Sequence, residues 1–419
     1  MNLKIFNLII IYLFAIKLHA QSNGELRGRI LDNETLNPIS NASILFENTE
    51  YGTITDSDGF FNVMEITPDT YTITVSHLGF NDYKIYNLII RSKGNAFLEI
   101  KLHESFASLD EVVLINNISS KNKETPLSIQ TLSSVEIETY PGGNNDVIKA
   151  VQSLPGIAPV GSYRNELIIR GGAPNESVYY LDGIEVPNIN HFMTQRSSGG
   201  TVGIVNVSFI QNMTLSRSAF GAEYDNPLSG VLSFEQKKGD AKKANCNFRI
   251  GASEAGLTFN GPLFKGDKSY SNTTLIASVR HSYLQFVLEL LGSAVRPQYW
   301  DYQWKFSHQF NDNNHLSFIG ISSRDDTRIV NTETTNNFEI AITEQEPIIK
   351  QKTHAVGITW THQYENSSGN FKLSLSNNKL ENDFSLFEDS INELAAVFQN
   401  DAIEEETKVR FQSTHFLNE

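Results

Sequence analysis

In the C-terminal part of the chain, apolar and polar residues alternate one by one over stretches of about ten residues, and no other feature restricts the fold as much. In "WDYQWKFSHQF", Trp300, Tyr302, Trp304, Phe306 and Phe310 fall on one face of a strand, with Asp301, Gln303, Lys305, Ser307 and Gln309 on the other. "AVGITWTHQY" sets Val356, Ile358, Trp360 and Tyr364 against Ala355, Gly357, Thr359, Thr361 and Gln363. "FKLSLSN" and "LIASVRHSY" repeat the pattern, with Phe371, Leu373 and Leu375, and with Leu275, Ala277, Val279 and Tyr283. Alternation of this length suits a membrane β-barrel, although a soluble antiparallel sandwich with one wet face produces it too. "NDNN" at 311–314 reads as a short turn, and 323–350 reads as a long polar stretch with no strand. Short turns on one side and long loops on the other again fit a barrel.

The first twenty residues support export. One lysine, Lys4, precedes the apolar run Ile5–Ile16, and "KLHAQ" offers a cut after Ala20. The run is too short for a transmembrane helix, which needs about 20 apolar residues. Residue 21 is Gln, so no lipid attachment to a mature N-terminal cysteine is expected. No other apolar run approaches helix-spanning length, so any insertion is by strands. The net charge of −15 leaves no basic stripe for nucleic acid. The single cysteine, Cys246, excludes an intrachain disulfide framework.

Between these ends lie two further textures. Residues 24–104 read as a small β-sandwich: "TYTITVSHLGF" puts Tyr71, Ile73 and Val75 on one face, and "ASILFENTEYGTITDSDGFFNV" reads as two strands about an Asp58-Gly59 turn. The "DSDG" run reads as a turn rather than a calcium loop, because the required bidentate Glu is missing. Residues 118–240 look mixed α and β. "NNDVIKAVQSLPG" predicts a helix with Val147, Ile148, Val151 and Leu154 on one face, capped by Asn144 or Asn145 and stopped at Pro155-Gly156. "ELIIRGGAPNESVYYLDGIEVPN" predicts a hairpin-like unit, with Arg170 at one end and the tight turn Asp182-Gly183 at the other.

Taken in order, "LDEVVL" (109–114), "VQSLPGIAPV", "IIRGGAPNESVYYLDGIEV" and "SRSAFGAEYDNPLSGVLSFEQKKG", behind an export signal and ahead of alternating strands, resemble a TonB-dependent outer-membrane receptor. Residues 21–104 are similar to the carboxypeptidase-regulatory-like, transthyretin-like module found ahead of such receptors. The resemblance implies a mostly β chain: a signal peptide (1–20), the β-sandwich (21–104), a linker with a TonB box (105–117), an α+β plug (118–240) and an incomplete transmembrane antiparallel β-barrel (241–419). Asp110, Glu111, Val112, Val113 and Leu114 would then bind a TonB-type energy-coupling protein by strand addition. Arg170, Gly171, Gly172, Tyr180, Asp182, Gly183, Gly221 and Gly230 would form the plug motif. In that motif Arg170 would reach carboxylates on the barrel wall, and Asp182-Gly183 would turn Tyr179 and Leu181 inward.

The implied activity is uptake of a scarce nutrient (siderophore, cobalamin, peptide or oligosaccharide) across the outer membrane, with lipid around the barrel, no cofactor and no enzymatic step. A surface lipoprotein partner is not favoured, since "INNISS" stands where a "GYGTQ"-like continuation would follow the TonB box. About seven strands are counted between 245 and 419 against about 22 in plugged barrels, and the chain ends "HFLNE", so a partial barrel is expected. The competing reading is a secreted or surface-exposed β-sandwich binding or adhesion protein. A zinc peptidase is disfavoured: His362 and Glu365 have H-x-x-E spacing, but residues three apart on a strand point to opposite faces.

Overall fold

The computed structural model describes residues 23–91, 95–105, 129–143, 145–159, 165–193, 200–218, 220–221, 223–224, 226–251, 253–264, 270–330, 348–364, 369–390 and 393–415. The export segment and the 109–114 segment lie outside the described residues. The chain divides into two compact units, Met1–Ser108 and Leu109–Glu419.

The first unit is a seven-stranded sandwich: β1 (Gly24–Asp32), β2 (Ser43–Phe46), β3 (Gly52–Ile54), β4 (Phe60–Ile66), β5 (Asp69–Ser76), β6 (Tyr83–Ile90) and β7 (Asn95–Leu102). One sheet has the order β4-β1-β7 and the other β3-β2-β5-β6. Alternate residues of both sheets close the core, among them Leu26, Ile30, Ile44, Phe46, Ile73 and Val75. The stretch expected to hold two strands holds three. β3 is a short edge strand returning along β2, and the chain then crosses to the other sheet. That crossing is the Asp56–Gly59 turn, where the Asp56 carboxylate accepts the amides of Asp58 (3.1 Å) and Phe60 (2.7 Å).

The second unit begins with a plug. Its strands are β8 (Ile129–Ser133), β9 (Ile157–Pro159), β10 (Leu167–Ile169), β11 (Ser177–Leu181), β12 (Ile184–Val186), β13 (Asn190–His191), β14 (Val202–Gly203), β15 (Ile210–Ser216) and β16 (Gly230–Gln236). Two helices, α1 (Ser134–Thr139) and α2 (Val147–Gln152), pack with them. The main sheet runs β12-β11-β16-β15-β8, with β11 and β16 parallel. α2 buries Val147, Ile148 and Val151 as expected, but its cap is Asp146 rather than an asparagine. Asp146 accepts Ile148 N–H through one oxygen, and Asn165 and Gly203 through the other. The cap is therefore selected by partners 19 and 57 residues away.

The predicted hairpin also differs. β10 pairs with β9, while β11 turns back through Asp182-Gly183 into β12. Asp182 (φ +50°) and Gly183 (φ +82°) both sit in the left-handed region, the two-residue geometry that matches strand twist.

The rest of the unit is one antiparallel sheet in chain order: β17 (Asn245–Ile250), β18 (Glu254–Pro262), β19 (Thr273–Ser282), β20 (Val295–Asn311), β21 (Asn314–Ile329), β22 (Ile348–Gln363), β23 (Gly369–Ser390) and β24 (Glu393–His415). Eight strands replace the seven counted. The stretch 323–350 contributes strand at both ends, because β21 continues to Ile329 and β22 starts at Ile348. Those extensions carry charges on their outer face (Arg324, Arg328, Lys350, Lys352), so no apolar alternation marks them. Among the described residues β17 and β24 do not pair, and the sheet stays open, an incomplete barrel curved about the plug.

Candidate functional site

The wall strands turn most of their polar residues toward the plug and most of their apolar residues away from it, although Ile319, Ile321 and Ala355 of β21 and β22 join the plug core. On β20, Asp301, Gln303 and Lys305 are buried while Trp300 and Tyr302 are exposed. On β19, Ser278, Arg280 and Ser282 are buried; on β22, Gln351 and Thr353 are buried and Ile358 and Trp360 exposed; on β23, Ser374 and Ser376 are buried and Leu373 and Leu375 exposed. A soluble sandwich would hide the apolar face. An apolar outside around a polar inside is the arrangement of a strand wall in lipid. Trp300 stacks on His281 at one end of the band, and Trp360, His362, Tyr364 and Phe371 cluster at the other. From Trp300 to Phe310 the wall rises about 33 Å along the strand, or about 25 Å after a tilt near 40°, the height of an outer-membrane apolar band.

The inner polar face is where plug and wall meet, and the contacts are charged. Arg280 forks onto Asp301 (Nε to Oδ1 2.9 Å and to Oδ2 3.0 Å), and its Nη2 donates to the plug carbonyls of Gly203 (3.0 Å) and Ile204 (2.6 Å). His191 of β13 lies between two wall carboxylates, with Nε2 3.2 Å from Asp301 and Nδ1 2.6 Å from Asp325. Its ring stacks on Tyr299, centroids 3.9 Å apart, and Tyr299 donates to Glu254 at 2.7 Å. All three members of the His191 group are shut off from solvent, at 0 to 1 % exposure. Burial alone would lower the imidazole pKa. The charges and hydrogen bonds of Asp325 and Asp301 outweigh that and raise it to about 9. Asp146 shifts upward from the usual carboxylate range, because its burial outweighs the amides of Gly203 and Ile148 and the Asn165 side chain.

Lower on the wall the hairpin turn makes a second set of contacts. Asp182 accepts Gln236 N–H (2.8 Å) and pairs with Lys305 at 2.9 Å; Lys305 also donates to Gln236 O (2.9 Å). Glu185 pairs with Lys408 at 2.7 Å, and Arg410 donates to the carbonyls of Gly183 and Glu223. Tyr180 is buried beside Tyr224, with the Arg410 guanidinium 5.5 Å from its ring centre. Tyr179 and Leu181 join the plug core, as expected.

Arg170 does not reach the wall. It is exposed, takes a left-handed φ of +51°, and has no described carboxylate partner. The chain reverses at Arg170-Gly171 (φ +80° at the glycine), and this carries the side chain outward. Gly172 is needed for space: a Cβ there would stand 2.6 Å from Ser229 Cβ and 2.7 Å from Glu176 Oε2. Gly230 lies under the Ile169 side chain, whereas exposed Gly221 meets nothing closer than Glu223. Asp110 to Leu114 lie outside the described residues. His362 is held by Asn314 (3.0 Å) on the wall, and Glu365 lies outside the described residues.

The wall partners Arg280, Asp301, Lys305 and Asp325, and His191 itself, were not singled out from sequence. The available signal was charge on the polar face of the strands, and "NINHF" after the hairpin.

Two family models match: a CarboxypepD_reg-like domain over residues 26–114, and the TonB-dependent Receptor Plug Domain over residues 121–231. Residues 121–231 thus match a TonB-dependent receptor plug, and the chain is similar to TonB-dependent receptors. Among curated relatives, TonB-dependent receptor P39 of Formosa agariphila is 28% identical over 183 residues, 42% of this chain and 17% of that protein. TonB-dependent receptor SusC of Bacteroides thetaiotaomicron is 24% identical over 263 residues, 58% of this chain and 24% of that protein. The chain thus spans less than a quarter of either relative's length. Among solved structures, Pseudomonas aeruginosa FpvA bound to a heterologous pyoverdine and iron shares the fold, with a TM-score of 0.51 at 15% identity, covering 71% of this chain and 41% of that one.

Proposed function

We propose that this receptor takes up a scarce small nutrient across the outer membrane, energised by a TonB-type coupling protein that engages residues 109–114. The observation that carries the reading is the inverted wall, apolar outside and charged against the plug. Such a wall sits in lipid and encloses a polar lumen, which the plug occludes. At one end the strands are joined by 263–272, Asp312-Asn313 and 364–368, and at the other by 251–253, 283–294 with α3 (Leu284–Leu290), 330–347 and 391–392. The two longest connections fall at the second end, which is assigned to the exterior on that ground.

The coupling segment lies on the chain shortly before β8. Within the described plug, β8 is the sheet edge and pairs with β15 alone, so a pull transmitted along the chain loads an edge strand first. Strand addition suits the coupling, since a ladder of backbone hydrogen bonds pulled along its length shares the load. The cargo belongs to the classes such receptors carry: siderophore, cobalamin, peptide or oligosaccharide.

The test removes residues 109–114 from the whole receptor. Outer-membrane insertion is expected to persist while growth on the limiting nutrient is lost. Undiminished growth would overturn the coupling role, and a product that stays soluble on membrane fractionation would overturn the barrel reading itself.

A further inference from the structure

We infer that His191 is a protonation-dependent latch that fastens the plug loop 188–193 to the wall and lets it go when the imidazole loses its proton. Both ring nitrogens face carboxylate oxygens, Nδ1 at 2.6 Å from Asp325 and Nε2 at 3.2 Å from Asp301. A neutral imidazole donates from one nitrogen and presents a lone pair at the other, so only the imidazolium satisfies both carboxylates. The neutral ring would set a lone pair against a buried carboxylate.

Among the described residues, no substitute cation faces Asp325. From β21 Asp325 faces the ring, and its second oxygen accepts Phe192 N–H at 3.0 Å. From β20 come Asp301 and the Tyr299 ring; from β19, Arg280 neutralises Asp301; from β18, Glu254 binds Tyr299 and lies 3.8 Å from Arg280. Within the plug, Asp146 holds Gly203, the residue opposite Asn190 in the β13–β14 pair. Removing the proton leaves Asp325 buried with no described cation against it. A carboxylate buried in that way is costly.

The latched imidazole titrates near 9, above the ordinary value of about 6.5. Its contribution is complete below about 6.5 and is lost as pH rises through about 9. Between pH 7 and pH 10 the latched-to-open ratio should fall on the order of 50- to 100-fold. Once the ring leaves its carboxylates for water near neutral pH, most of it gives up its proton. Each plug release therefore discharges about one proton at the wall. The inference rests on the uptake reading only for the purpose of that release; the latch is a property of the plug–wall contact.

The test is hydrogen–deuterium exchange of the membrane-inserted receptor from pH 6 to 10, corrected for base-catalysed intrinsic exchange. Protection of 188–193 and 200–205 should fall by the stated factor in the wild type, and His191→Gln should show low protection with no such pH dependence. Asp325→Asn, which keeps one carboxylate on the ring, should move the midpoint to lower pH. A wild-type change under about threefold, or a His191→Gln profile that tracks the wild type, overturns the latch. Should His191→Gln fail to insert, Asp325→Asn decides, and an unshifted midpoint overturns the proposal. A normal latch profile in a receptor that takes up nothing would sink the uptake reading and leave the latch standing.

Discussion

Asp182 and Arg170, the two charged residues of the glycine-rich plug segment that looked most alike in promise, behave in opposite ways. Asp182 sits at a turn whose backbone places its carboxylate against Lys305 of the wall, only 8 % of that lysine's side chain being exposed. Asp182→Ala leaves a buried ammonium short of its carboxylate and should cost about 3–5 kcal/mol, read as a lower urea midpoint for loss of plug protection against protease. Arg170→Ala removes an exposed side chain and should change that midpoint by no more than about 0.5 kcal/mol. Gly172→Ala forces a methyl into Ser229 and Glu176, at a cost of about 1–3 kcal/mol in the same assay. The turn was legible because Asp-Gly between strand-formers has a local conformational cause. Which charge meets the wall was not, because that depends on the direction a side chain leaves a reversed backbone, and on partners over a hundred residues away.

The strands were the most legible elements, since a period of two needs only the chain itself to express it. Their ends were less so. β21 and β22 run on beyond the apolar band into a ladder whose outer rows carry Arg324, Lys352 and Glu381, the last two paired at 2.9 Å. Charges outside the lipid leave the backbone ladder intact but erase the alternation that would announce it. Depth along the wall then sets the cost of a new charge. Ile358→Arg, on the outer face between Phe318 and Leu375, should destabilise folding into liposomes by about 2–4 kcal/mol, whereas Phe310→Arg at the band's edge should cost about 0–1 kcal/mol. Equal costs at the two positions would contradict the placement of the band. The helix α2 repeats the lesson in miniature: its apolar face was readable, but its cap is the aspartate that two distant donors also claim.

At the scale of the whole molecule, the first unit has its own closed core, so a fragment of residues 23–105 should fold in water without detergent. Its expected stability is about 4–12 kcal/mol, with a cooperative transition by circular dichroism; a non-cooperative melt would show that the sandwich needs the rest of the chain. The order of modules, their β character, the two faces of each wall strand and the plug's turn all follow from the sequence, because each arises from local propensity, periodicity or motif. Two things did not follow. Alternation is symmetric and does not say which face is hidden, so the choice between sandwich and barrel wall waited for the plug to be seen against the polar face. Charge pairing joins residues as far apart as His191 and Asp325, 134 positions along the chain, and only the folded chain brings them within hydrogen-bonding distance. The sequence by itself determined what each segment could become; the tertiary structure decided inside from outside and which charges hold the plug, because both depend on what surrounds a residue in space rather than on what precedes it in the chain.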